Sequence, residues 1–255
     1  MIIVQLVLIL VTLTGPRGGL ITPPKYIYFP GGGIYYYWQA GAAKYIRQNW
    51  DLSSSKVLGA SAGALTSTLL VSDVDFDQAT RCAIRLALQY KIYDGKLGLA
   101  GIWGNLIRLW LNELIDENVD IKSFANLGIS ISYVTPLIST KLVTDFYSRQ
   151  DVIDACMASC HIPFFLDGRP FTVFRNTPAI DGSLRSMITR SRSGMPLPDS
   201  KGSAPIVPED IIYIDYSDDK DFLSSTASNF VELITPDGAW KMMEAGYDFM
   251  RRKFD

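Results

Sequence analysis

Apolar positions come in short runs broken by glycine and proline, with two helical stretches between them. "KYIYF", Lys25 to Phe29, is aromatic and β-branched and ends at Pro30 and three glycines, which predicts a strand followed by a loop. From Ile34 to Gln48 there is no proline, and Tyr37, Ala40, Gly41, Lys44 and Tyr45 recur at helical spacing. "DLSSS" is a loop. "KVLGA", Lys56 to Ala60, is a second short strand running into Ser61, and "AGALTSTLLV" suits a buried helix. This strand–helix–strand–helix order implies a parallel sheet with helices packed on it.

Further along, Asp75 to Tyr90 and Ile102 to Ile115 read as helices. "GISISYVTP", "TKLVTDF" and "DIIYIDY" read as strands, and Asp151 to Cys160 as a helix ended by Pro163. Trp240, Met243, Tyr247, Met250 and Phe254 form an amphipathic stripe, expected to face the core. Arg190 to Pro208 is rich in Pro, Gly and Ser and is expected to be a long surface loop. No internal repeat and no second-domain boundary is visible, so residues 23–255 are taken as one domain.

Residues 1–22 stand apart. "MIIVQLVLILVTL" is apolar but shorter than the ~20 residues that a spanning helix needs. It suits the core of a secretory signal or an anchor, although no Lys or Arg precedes it. A leader implies the secretory pathway or a membrane; without one, the expectation is cytoplasmic, at lipid surfaces.

Composition narrows the function. The chain has 255 residues, 48% of them apolar, and a net charge of −2, so no electrostatic nucleic-acid binder is expected. Apolar contact with a membrane needs no net positive charge. Cys82, Cys156 and Cys160 are too few for a disulfide framework and, with one histidine, too few for a Cys/His metal site. They read as small buried residues. No metal and no organic cofactor is expected.

The chemistry gathers around Ser61. "GASAG", Gly59 to Gly63, matches G-x-S-x-G, the turn that exposes a nucleophilic serine between a strand and a helix. Glycines at Gly59 and Gly63 relieve the crowding of so tight a turn. Helix N-terminal amides, Ala62 included, then face charge that develops beside the serine. "PGGG" places Gly31, Gly32 and Gly33 between the first strand and its helix, as candidate oxyanion donors in the same crevice. The glycines fit neither a dinucleotide loop, since Tyr36 takes the last glycine position, nor a P-loop. The alternative for "GASAG" is close helix–strand packing alone.

The base is open at this point. His161 is the single histidine, and Ser61, then Asp145, Asp151 or Asp154, then His161 satisfies the order of an α/β-hydrolase triad. That fold places further βα units between glycine loop and serine, which this chain lacks room for. A carboxylate is the other option, made more basic by burial. Asp-Gly pairs occur at Asp94, Asp167, Asp181 and Asp237.

Three blocks in order, "GGGIYYYWQAG", "GASAGALTSTLL" and "DGS", with "ASCHIP" before the last, resemble the patatin-like phospholipases, most strongly the branch of adipose triglyceride lipase and adiponutrin. The resemblance covers most of residues 25–190. It implies an α/β, three-layer patatin-like fold with a mostly parallel central sheet and helices on both faces. It implies a lipid acyl hydrolase of phospholipase A or triacylglycerol lipase type working through an acyl-enzyme, with Ser61 as nucleophile, Asp181 as base and Gly182 completing the acid motif. The implied partners are a lipid ester substrate and a membrane or lipid-droplet surface. The chain departs from the family at Tyr35 and Tyr36, where a basic residue and a glycine are usual, and at Ser183, where the family has Gly or Ala. Esterase chemistry through His161, or a non-catalytic lipid binder of the same fold, are the alternatives; acyl transfer to an alcohol is a variant of the first reading.

Overall fold

The computed structural model describes residues 21, 23–94, 102–134, 136–184, 210–225 and 233–255. The apolar run of residues 1–13 and the Arg190–Pro208 stretch lie outside these residues. Among the described residues seven strands form one sheet. β1 (Tyr26–Phe29), β2 (Lys56–Gly59), β3 (Leu127–Tyr133) and β7 (Ile211–Tyr213) run parallel in the order β3–β2–β1–β7. β4 (Ser139–Val143) and β6 (Thr177–Ile180) pair antiparallel with β3, and β5 (Thr172–Phe174) adds to β6. The result is the expected α/β class, with a central, mostly parallel sheet flanked by helices.

Alternation along the strands explains the layering. Ile27 and Phe29 of β1, Val57 of β2 and Ile129 and Ile131 of β3 enter the main core. Over that core lie α1 (Tyr36–Asn49), α2 (Ala62–Val71), α3 (Phe76–Gln89), α4 (Trp103–Leu114), α5 (Arg149–Ser159) and α7 (Pro236–Phe254). A short α6 (Lys220–Ser225) precedes α7 and adds Phe222. The alternate residues, Tyr26, Tyr28, Leu58 and Ala60, form a second apolar cluster with Leu142, Ile211 and Tyr213. α2 is buried on all sides, as its small and apolar residues require.

α7 lies along α1 through three aromatic pairs: Trp38–Phe249, Tyr45–Tyr247 and Trp50–Phe254. Met243 and Met250 are buried, so the terminal stripe faces the core as expected. The Trp38 indole N–H, inside that contact, donates to Asp219 at 2.9 Å and so avoids an unpaired buried donor.

The β5–β6 hairpin has no counterpart in the sequence expectations. Its two-residue turn, Arg175-Asn176, has both residues at positive φ, 47° and 62°. This is the backbone of the hairpin turns that glycine usually marks. Here it contains no glycine, and Pro170 and Pro178 further disguise the strands.

One register relation positions everything that follows. Ile129 of β3 pairs with Gly59 on one edge and with Val143 on the other. β4 continues along its edge to Tyr133, so β6, paired to Ser132 and Tyr133, must share the β2 edge. β2 and β6 therefore point at each other from opposite directions along β3. Ser61 leaves one strand end and Asp181 leaves the other.

Candidate active site

Ser61 sits at φ 53°, ψ −125°, a backbone conformation that costs a non-glycine residue about 1–3 kcal/mol. The turn is tight because strand and helix nearly touch. A Cβ on Gly63 would stand 1.9 Å from the Phe29 carbonyl oxygen, and one on Gly59 would stand 2.1 Å from the Gly63 carbonyl oxygen. Both glycines of the motif are thus required by steric contact.

The strained turn is braced from behind. The Ser61 amide donates to Ser159 Oγ at 2.9 Å, and Ser159 Oγ donates to the Ser130 carbonyl at 2.8 Å. The Ser159 carbonyl in turn accepts from the Gly182 amide at 3.0 Å, and the His161 carbonyl accepts from the Asp181 amide at 2.8 Å. The end of α5 thereby fastens the "GASAG" turn and the "DGS" block to the same stretch of β3. Nothing in the sequence marks Ser159 beyond its place inside "ASCHIP".

Asp181 is buried. Its Oδ1 accepts from the Ser183 amide at 2.8 Å and from Ser183 Oγ at 2.6 Å. Its Oδ2 is buried with no hydrogen bond of ordinary geometry among the described residues. Burial pushes the carboxyl above the usual carboxylate range; hydrogen bonding by Ser183 and Ser61 and the nearby His161 work against that shift. The Ser61 hydroxyl thus lies near enough to favour the ionised carboxylate, in a contact looser than an ordinary hydrogen bond. Such contacts in unliganded sites commonly tighten when substrate binds.

The glycine loop closes the third side. A Cβ on Gly31 would stand 2.4 Å from Ser183 Oγ and 3.3 Å from Ser61 Cβ, so loop, serine and acid block meet at one point. Gln39, fully buried, ties the loop to α2: its Nε2 donates to the Pro30 carbonyl at 2.7 Å and its Oε1 accepts from Thr66 at 3.1 Å. Tyr35 stacks on Tyr216, ring centroids 3.9 Å apart, with Gly32 against the Tyr216 ring and the Tyr35 Cβ. The amides of Gly31, Gly32, Gly33 and Ala62 donate to no acceptor among the described residues.

The other acidic candidates are engaged elsewhere. Asp145 and Asp151 pair with Arg175, and Asp154 pairs with Arg108. Asp167 caps a turn by accepting from the Arg169 amide, and Asp237 lies in the first turn of α7. The Asp94 side chain lies outside the described residues. His161 is buried, its Nε2 meets the Arg169 carbonyl at 3.1 Å, and no described carboxylate hydrogen-bonds its ring. Cys156 and Cys160 are buried and Cys82 half-buried, all as free thiols.

Ser61 lines a cavity that is partly open to solvent. Leu65, Leu106, Ile107, Trp110 and Ile162 make its wall apolar. The "YYYW" run divides: Tyr36 and Tyr37 line this cavity, while Tyr35 and Trp38 pack in the core. Among the described residues no group of His, Cys, Asp and Glu could hold a metal ion.

Residues 27–190 match the family model described as patatin-like phospholipase. The chain belongs to the patatin-like phospholipase family. Among curated relatives, the omega-hydroxyceramide transacylase of Mus musculus is 28% identical over 171 residues, which is 64% of this chain and 28% of that protein. The Homo sapiens counterpart is 26% identical over 171 residues, 64% of this chain and 31% of that protein. The Homo sapiens 1-acylglycerol-3-phosphate O-acyltransferase PNPLA3 is 29% identical over 162 residues, 61% of this chain and 33% of that protein. These are relatives of the adiponutrin-like branch, and this chain spans about a third of their length. Among solved structures, VipD from Legionella pneumophila aligns with a TM-score of 0.48 at 14% identity, over 90% of this chain and 66% of that one. In this patatin-like chain the glycine loop, the "GASAG" turn and the "DGS" block lie side by side at the ends of β1, β2 and β6.

Proposed function

We propose that this chain is a lipid acyl hydrolase that works through a Ser61–Asp181 dyad and a covalent acyl-enzyme. The observation that supports it is the meeting of three features beside an apolar cavity that Ser61 and Gly33 line: a strained serine turn, a buried carboxylate with one uncommitted oxygen, and a glycine loop with uncommitted amides. Ser61 Oγ attacks the ester carbonyl carbon while its proton passes to Asp181 Oδ2. The carbonyl electron pair moves onto oxygen, stabilised by amides of Gly31, Gly32, Gly33 and Ala62. Collapse breaks the ester bond, and the proton on Asp181 goes to the departing alcohol. Water then repeats the sequence and releases the fatty acid.

Burial makes Asp181 a better base than a solvated aspartate, although it remains weaker than a histidine. Much of the acceleration therefore falls to the amides, where removing a single donor typically costs about 10²–10³ in rate. An alcohol in place of water gives acyl transfer by the same steps, and the names of the transacylase and acyltransferase relatives favour keeping that acceptor open. The substrate is presented from a lipid surface: Leu88, Tyr90, Ile102 and Phe164 are exposed apolar residues flanking, in sequence, the cavity residues Ala87, Ile92, Trp103 and Phe165.

The test is labelling by a fluorophosphonate probe, with hydrolysis of a p-nitrophenyl ester in parallel. Wild-type protein is labelled at Ser61; Ser61→Ala is not; Asp181→Asn loses at least about a hundredfold in rate. Folded wild-type protein that takes no label at Ser61 is a non-catalytic lipid binder, and the proposal fails.

A further inference from the structure

Ser183 stands where the family's acid block has a residue without a hydroxyl, and its side chain is buried between the proposed base and the glycine loop. Its amide and hydroxyl both bind Asp181 Oδ1, at 2.8 and 2.6 Å. The space for that hydroxyl exists because residue 31 is glycine: any Cβ there would stand 2.4 Å from Ser183 Oγ. Oδ2 receives no such donor.

We propose that Ser183 is a positioning residue, which commits Oδ1 of Asp181 to two hydrogen bonds and so reserves Oδ2 as the oxygen that meets the Ser61 hydroxyl. The inference rests on the Ser61–Asp181 reading and deepens it. A carboxylate held by one donor can turn about its Cβ–Cγ bond and exchange its oxygens; two donors from one residue fix both its plane and its face. The proton still travels from Ser61 Oγ to Asp181 Oδ2, and Ser183 keeps its own. A hydroxyl donating to Oδ1 favours the charged base, so this chain has a dyad that stays ionised to lower pH than one lacking the hydroxyl.

Other groups face the carboxylate. His161, after α5, favours its ionised form. Tyr28 of β1 and Cys160 are held protonated by burial, reinforced by the charge of Asp181. None of these changes when Ser183 is replaced, and the Asp181–residue 183 amide bond survives in any substitution but proline.

The experiment compares wild type, Ser183→Ala and Ser183→Gly, folding being checked by the unfolding midpoint. Ester hydrolysis and fluorophosphonate labelling of Ser61 are followed from pH 4 to 9. The expected result is a KM little changed, a kcat lowered about tenfold, and an acidic limb moved upward by about one pH unit. A carbon-13 titration of the Asp181 carboxyl in Ser61→Ala protein, with and without Ser183→Ala, reads the same displacement without turnover. Limbs that coincide in all three proteins, with Ser61 labelled and Asp181→Asn inactive, leave the dyad standing and overturn the role of Ser183. Absence of label on wild-type Ser61 overturns both.

Discussion

Ser159→Ala tests the bracing of the nucleophile turn. The substitution removes one oxygen that accepts the Ser61 amide at 2.9 Å and donates to the Ser130 carbonyl at 2.8 Å, in a fully buried place. An orphaned buried amide costs about 1–3 kcal/mol, and a lost neutral hydrogen bond about 0.5–1.5 kcal/mol net. The sum is about 1.5–4.5 kcal/mol, partly offset if Ser61 relaxes from its φ of 53°. For a chain this long, it corresponds to a fall of roughly 5–12 °C in unfolding midpoint. Relaxation of the turn also moves the hydroxyl, so fluorophosphonate labelling slows, by about a hundredfold for a displacement near 1 Å. The assay is thermal unfolding and labelling rate on the same preparations. Ser67→Ala is the control: its Oγ is buried without a partner among the described residues, so its removal leaves stability unchanged or raised. An unfolding midpoint and a labelling rate both equal to wild type in Ser159→Ala would refute the brace.

The other expectations concern charge, cavity and histidine. A buried carboxyl whose folded-state pKa lies above its unfolded value favours the fold while protonated, and that contribution is lost as pH rises through the folded value. Asp181→Asn therefore raises the unfolding midpoint at pH 7–8 while abolishing hydrolysis, and the gap to wild type narrows towards pH 4; a variant less stable at pH 8 contradicts the burial argument. Ala83→Phe, in the cavity wall, lowers activity on long-chain p-nitrophenyl esters at least about tenfold relative to the butyrate ester, and an unchanged ratio places the acyl chain elsewhere. His161→Ala, compared as folded protein, retains substantial ester hydrolysis, whereas loss comparable to Ser61→Ala would restore the triad.

Local pattern was enough for the elements with strong periodicity. β1, β2, α1 and α2 follow from the "KYIYF", "KVLGA" and small-residue runs, and the elbow from two glycines around a serine, because each depends on neighbours a few residues away. The pairing of Ser61 with the "DGS" block came from family resemblance, since an Asp-Gly pair is ordinarily only a turn. Ser159 and Gln39 were invisible as supports: a buried polar residue reveals its use only when its partners, Ser130 and Pro30, are known. The β5–β6 hairpin escaped because its turn takes positive φ without glycine.

What the amino-acid order determined by itself was the chemistry in hand and its local poise: a serine forced onto a strained corner, amides turned outward by glycines, and no second histidine to call upon. What the tertiary structure decided was how a carboxylate so far along the chain comes to lie near that serine. Asp181 is 120 residues away along the chain, and it arrives there because β6 runs antiparallel on the same edge of β3 that β2 leaves vacant beyond Gly59. A strand's end point depends on the edge it pairs with, and hydrogen-bond register between distant segments has no signature in either segment alone.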